Sequence, residues 1–147
     1  MNVQLTQEEA DRLISMLKEA LIEQINKPDP GKRVNFDVQG DTRRDLFNVD
    51  IFRGRRARNK VNYNARVKVN NILLLELHIN ATNRHRNPDG EVITGSHWHI
   101  YKEGYGTSIV FPALELSDKA FVENAVTFLQ KFNVIKRPFI TEQTEFR

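Results

Sequence analysis

The sequence predicts an α+β domain: an antiparallel β-meander of about five to six strands with N- and C-terminal helices packed on one face. Three observations carry that reading. Helical periodicity is confined to two segments, one near each end of the chain. Between them, short runs alternate apolar and polar residues, the pattern of half-buried strands. With 147 residues, 39% hydrophobic and 28% charged, the chain suits a single domain with one core.

The first helix is expected over residues 6–26. Thr6 and Glu9 form a capping box, and Leu5 and Ala10 stand where a hydrophobic staple would place them. Ala10, Leu13, Ile14, Leu17, Ala20, Leu21 and Ile25 repeat at helical spacing until Asn26-Lys27-Pro28-Asp29-Pro30-Gly31 stops the run. Strands follow. Val34, Phe36 and Val38 alternate, then Phe47, Val49 and Ile51. Val61, Tyr63, Ala65, Val67 and Val69 make the longest alternating run, and Leu73, Leu75, Leu77 and Ile79 the next. Residues 81–95 read as a polar loop turned by Asn87-Pro88-Asp89-Gly90, before a strand over 96–102. Ser108 to Phe111 returns as a short edge strand that Pro112 ends. The last helix begins with Ser117, followed by Asp118, as its cap and runs to about Phe132, and the tail from about residue 138 is expected to be loosely held.

If the apolar set of each strand faces the helices, the residues left on the opposite face follow from alternation. They are Asn48 and Asp50, then Asn62, Asn64, Arg66 and Lys68, then Glu76 and His78, then His97, His99 and Tyr101. Trp98 and Ile100 then point into the core. Three of the four histidines lie between residues 85 and 106, so this window is the candidate site.

Charge is uneven along the chain. From Gly31 to Asn70 there are 11 Lys/Arg against 4 Asp, whereas the whole chain has a net charge of only +3. Such a block attracts polyanions. Arg53, Arg55, Arg56, Arg58 and Lys60, in and beside a hairpin tip, and Lys68 are the candidate nucleic-acid contacts. There is no cysteine, so thiolate chemistry and disulfides are excluded. No apolar run approaches the ~20 residues of a membrane span, and no signal peptide is evident, so a cytoplasmic protein without a membrane partner is expected.

Three functions compete for these residues. The first is a metal-independent endoribonuclease needing no cofactor. There His97, His99 and His85 supply acid and base, Tyr101 assists, and Arg66 stabilises phosphoryl charge. The second is a metal site built on His97 and His99, with His78, Glu76 or His85 as third ligand. The third is a module without chemistry that binds RNA or a nucleic-acid-handling protein through its basic hairpin. A homodimer stays open. Against all three stands a plain structural role, in which the histidines tie the 85–90 loop to the sheet.

The window His85-x-Asn87-Pro88-Asp89-Gly90 … His97-x-His99-Ile100-Tyr101-x-Glu103-Gly104-Tyr105-Gly106 resembles a family of small bacterial proteins known only as a domain of unknown function. The similarity extends to the capped first helix, the Asp50-Ile51-x-Arg53-Gly54 hairpin and the last helix. The resemblance assigns no catalytic residue. It implies a mobile-element setting, in which a toxin-like nuclease, a defence component or a phage-encoded inhibitor is expected.

Overall fold

The computed structural model describes residues 4–117 and 119–142. The first helix starts as its sequence dictates: Glu9 N–H donates to the Thr6 hydroxyl at 3.0 Å, and Thr6 N–H donates to the Glu9 carboxylate at 2.9 Å. It ends early. Helix α1 is Gln7–Ser15, and the expected continuation to residue 26 is replaced by two short strands, β1 (Lys18–Ala20) and β2 (Gln24–Asn26). Tertiary pairing overrides local periodicity here, because β1 bonds to strands on both sides and β2 finds a partner near the C-terminus. Leu17 and Leu21, counted toward a buried stripe, are instead 58% and 54% exposed.

Then come β3 (Arg33–Gln39), β4 (Leu46–Arg53), β5 (Val61–Val67) and β6 (Leu73–Ile79), all paired antiparallel in sequence order. A small ribbon of β7 (His85–Arg86) and β8 (Val92–Ile93) precedes β9 (His97–Ile100) and β10 (Val110–Pro112). The second helix, α2, is Phe121–Lys131, three residues later than the Ser117 cap predicts, and a 3-10 turn at Leu114–Leu116 precedes it. Asp118, the other half of that expected cap, lies outside the described residues. Strands β11 (Val134–Lys136) and β12 (Phe139–Thr141) close the chain. β12 pairs in parallel with β2, so the tail expected to be loose is a strand over these three residues, and the tail beyond 142 lies outside the described residues.

The fold is therefore α+β around a mostly antiparallel sheet, but the sheet is larger than expected. It has eight strands in the order β10-β9-β6-β5-β4-β3-β1-β11, with only the β1–β11 pair parallel. The five central strands are the predicted meander. Of the short strands at either side, β10 overlaps the edge strand expected over Ser108 to Phe111, whereas β1 and β11 were illegible because runs of three residues carry no period.

The alternating runs bury the faces they should. Phe47, Val49 and Ile51 are buried, as are Val61, Tyr63 and Ala65. The Tyr63 ring stacks on Phe121 and Phe128 of α2, and Trp98 stacks on Phe128 with centroids 6.3 Å apart. Leu13 and Ile14 of α1 pack against the same core. Trp98 thus points inward, and alternation sends His97 and His99 to the other face.

Candidate metal centre

Pairing of β6 with β9 builds the site. His78 lies opposite His97, and Glu76 opposite His99, so a Glu-x-His run faces a His-x-His run on one face of the sheet. The three imidazoles meet: ring centroids are 5.0 Å apart for His78 and His97, 4.7 Å for His78 and His99, and 4.8 Å for His97 and His99.

Hydrogen bonds assign the ring protons. His97 Nδ1 lies 2.9 Å from the Gly95 carbonyl, and His99 Nδ1 lies 2.5 Å from that of Thr107. A carbonyl only accepts, so each Nδ1 carries the hydrogen and each Nε2 keeps its lone pair. His78 Nε2 pairs with the Glu76 carboxylate at 3.2 Å, leaving His78 Nδ1 as its free lone pair. Glu76 in turn accepts from the Thr107 hydroxyl at 3.1 Å. Thr107 therefore orients two of the three rings. Gly95 presents its carbonyl to His97 from a left-handed backbone (φ 79°), and an added Cβ there would sit 2.7 Å from Leu114.

The electrostatics favour neutral rings. Burial lowers His97 against its bond to Gly95, and burial lowers His99 to about 4 despite the bond to Thr107. Burial works to raise the Glu76 carboxyl, but its hydrogen bond from His78, the neighbouring imidazoles and the Thr107 hydroxyl outweigh it and hold it lowered. The outcome is two uncharged imidazoles beside an ionised carboxylate.

One atom is left over. His99 Nε2 is buried and has no hydrogen-bond partner among the described residues. Such an orphan costs about 1–3 kcal/mol unless something meets it. One ring nitrogen from each of His78, His97 and His99 lies within 4.8 Å of the other two. Three nitrogens at about 2.0–2.1 Å from a tetrahedral ion stand roughly 3.4 Å apart, so modest side-chain rotations close the set on a metal.

The rings open onto a cavity of about 360 Å³ whose wall also carries His85, Lys60 and Arg84. No Asp or Glu is among its lining residues. His85 Nε2 donates to the Ser108 carbonyl at 2.7 Å, and its ring centroid is 5.6 Å from that of His99 and 6.3 Å from that of His97. His85 therefore stands at the edge of the cluster.

Residues 5–134 match a family of unknown function, DUF6978. The chain belongs to that family. No curated protein and no solved structure matches it. Membership in DUF6978 assigns no chemistry, so the case rests on the residues themselves.

The structure gathers His97, His99, His78 and His85, and Lys60 joins them from the base of the basic hairpin. Tyr101, expected beside them, is elsewhere: β9 ends at Ile100, and Tyr101 is buried in the core with its hydroxyl donating to Leu5 O and accepting from Leu5 N–H. Arg66 bonds to Asn64 at 3.2 Å and does not line the cavity. Lys68 pairs with Asp37, so its charge is locally spent. Arg53 braces its own hairpin through the Arg58 carbonyl at 2.8 Å, while Arg55, Arg56 and Arg58 are exposed at the tip. Among the described residues no helix is long and apolar enough to cross a membrane. Sequence reasoning missed Thr107 and Arg84. Thr107 had no signal, since its role depends on a turn folding back on the sheet. Arg84 had one, standing next to His85 in a loop otherwise rich in uncharged polar residues.

Proposed function

We propose that His78, His97 and His99 bind a divalent transition metal ion, zinc being the ion their donor set suits best, and that the protein is a metal-dependent hydrolase. The observation that carries this is the buried, unpartnered Nε2 of His99 in a cluster where one ring nitrogen each of His78, His97 and His99 lies within 4.8 Å of the others. Three protein ligands leave a fourth position open to water, the arrangement of catalytic rather than structural zinc. All three histidines line the cavity. Glu76 and the carbonyls of Gly95 and Thr107 act as the outer partners that fix each ring's tautomer and raise its basicity. An ion held there would supply a water that ionises near neutral pH and serves as a nucleophile.

A metal-free histidine mechanism is less well supported by the same geometry. It needs an imidazolium near neutral pH to protonate the leaving group. Burial holds both His97 and His99 below their ordinary value, His99 to about 4, which disfavours the charged form of these two rings.

The test is calorimetric. Protein stripped with EDTA and titrated with zinc should show one equimolar site, weakened at least 100-fold in His97→Ala. Absence of a stoichiometric site in the wild-type chain overturns the proposal.

A further inference from the structure

We infer that the cavity in front of the histidines takes the phosphodiester of a single nucleic-acid strand, an inference that names the substrate of the metal centre and rests on that reading. Three features point to this ligand. The first is sign. Lys60 and Arg84 line the cavity, no carboxylate does, and an ion on three neutral histidines would add two further positive charges. With the ion in place, a further charged ligand on such a wall is favoured when it is an anion.

The second is continuity. Lys60 ends the loop that carries Arg55, Arg56 and Arg58, all exposed. Its ammonium donates to the Thr82 hydroxyl at 2.8 Å, joining the hairpin tip to the loop that bears Arg84 and His85. A chain of phosphates whose one unit sits by Lys60 and Arg84 has neighbours to offer to further cations of the hairpin loop, whereas a lone phosphate or a small carboxylate has none.

The third is depth. His97 and His99 are 5% and 9% exposed, so the reacting phosphate must enter the recess rather than lie across it. A duplex holds its phosphates on a stiff cylinder and cannot lower one. A single strand can. Asn62, opposite His78 in the sheet register and also on the cavity wall, offers amide donors and an acceptor to the entering nucleotide.

The step is a hydrolysis. With the ion held by His78, His97 and His99, the oxygen of a water it activates would bond to phosphorus as one ester P–O bond breaks. One of its protons ends on the departing hydroxyl and the other on solvent, yielding a phosphomonoester and an alcohol. Lys60 and Arg84 hold the non-bridging oxygens, where charge stays throughout.

The experiment measures strand binding and zinc binding separately. Fluorescence anisotropy of short labelled RNA and DNA strands is followed on zinc-loaded and EDTA-treated protein, for the wild type and for Lys60→Gln/Arg84→Gln. Both substitutions are on the surface side of the loops, and the zinc isotherm reports whether the fold and the centre persist. We expect the wild type to bind a single strand in both states, more tightly than the duplex of the same sequence, and affinity to fall steeply with added salt. The double variant should lose at least tenfold in strand affinity with zinc affinity unchanged. Equal binding by the double variant, a preference for duplex, or no binding by the wild type overturns the inference. Failure of zinc to bind, with strand binding intact and sensitive to the double substitution, overturns the metal reading and the hydrolytic step while leaving the strand site standing.

Discussion

His99 is the residue at which structure and chemistry meet most closely. Its folded value, about 4, lies below the ordinary 6.5, so the unfolded chain binds more protons between these limits and stability rises with pH across them. The contribution is complete above about pH 6.5 and is lost as pH falls toward 4. It amounts to roughly 3 kcal/mol. His97 and Glu76, both also held lowered, act in the same direction. Metal-free protein should therefore lose melting temperature steadily from pH 7 to pH 4.5, and His99→Gln should flatten that slope; a wild-type profile level over this range would contradict the assignment. Lys18 makes a second residue-scale case. It is 1% exposed, and burial pulls its ammonium down to about 7. Yet all three of its N–H bonds are used, to the carbonyls of Ile14, Met16 and Phe132, and it lies 3.9 Å from the centre of the Phe132 ring. Three acceptors require three hydrogens, so the charged form is the one this site holds. The ammonium ties the end of α1 to the end of α2, where a positive charge is favoured. Lys18→Met should cost on the order of 3 kcal/mol in denaturant unfolding, because three carbonyls lose their donor together. An unchanged midpoint would show that water replaces it.

At the scale of elements, the site is a property of two strands and the loops that lean on them. Glu76→Gln removes the charge that orients His78 without removing a ligand. It should weaken zinc binding about 10–100-fold, measured by competition with a chelator, and an unchanged affinity would place Glu76 outside the centre. The loop behind His85 is pinned by Asn87, which exchanges two 2.9 Å hydrogen bonds with the backbone of Val110 on edge strand β10. That Asn87 belonged to a turn was legible in Asn-Pro-Asp-Gly; that it closes an edge was not, since the partner lies 23 residues away. The same distinction holds across the chain. Alternation in β4, β5, β6 and β9 correctly sorted Tyr63 and Trp98 inward and His78, His97 and His99 to the other face, because the period of a strand is local. What local pattern cannot supply is register between strands, and it is the register of His78 on His97 that makes three histidines a cluster. Tyr101 failed for a related reason. Its place in the alternation assumed a strand that continues, whereas the chain leaves the sheet after Ile100 and the phenol turns to Leu5. The stripe that suggested a helix to residue 26 failed because β1 and β2 are each three residues long and owe their form to partners remote in sequence.

Over the whole molecule, the charge block between Gly31 and Asn70 divides into two parts. On the polar face of the sheet, Asn35 and Asn48 exchange reciprocal hydrogen bonds, Arg33 pairs with Asp50, and Lys68 with Asp37. That half is a self-satisfied structural face. The exposed tip lies outside these pairs, and Lys60 lines the histidine cavity. A ligand that binds only the folded chain stabilises the whole of it, by about 4 kcal/mol at a thousand times its dissociation constant. For a chain of this size zinc at such excess should raise the melting temperature by roughly 10 °C, and no shift should be seen in a variant lacking His97 and His99. The most direct measurement of the central claim is X-ray absorption at the zinc edge of the loaded protein. A first shell of nitrogen and oxygen at about 2.0–2.1 Å, with outer-shell scattering from three imidazole rings, is the result predicted. A shell of oxygen alone, or scattering from fewer than two rings, would contradict the centre and return these histidines to the role of packing a loop against a sheet.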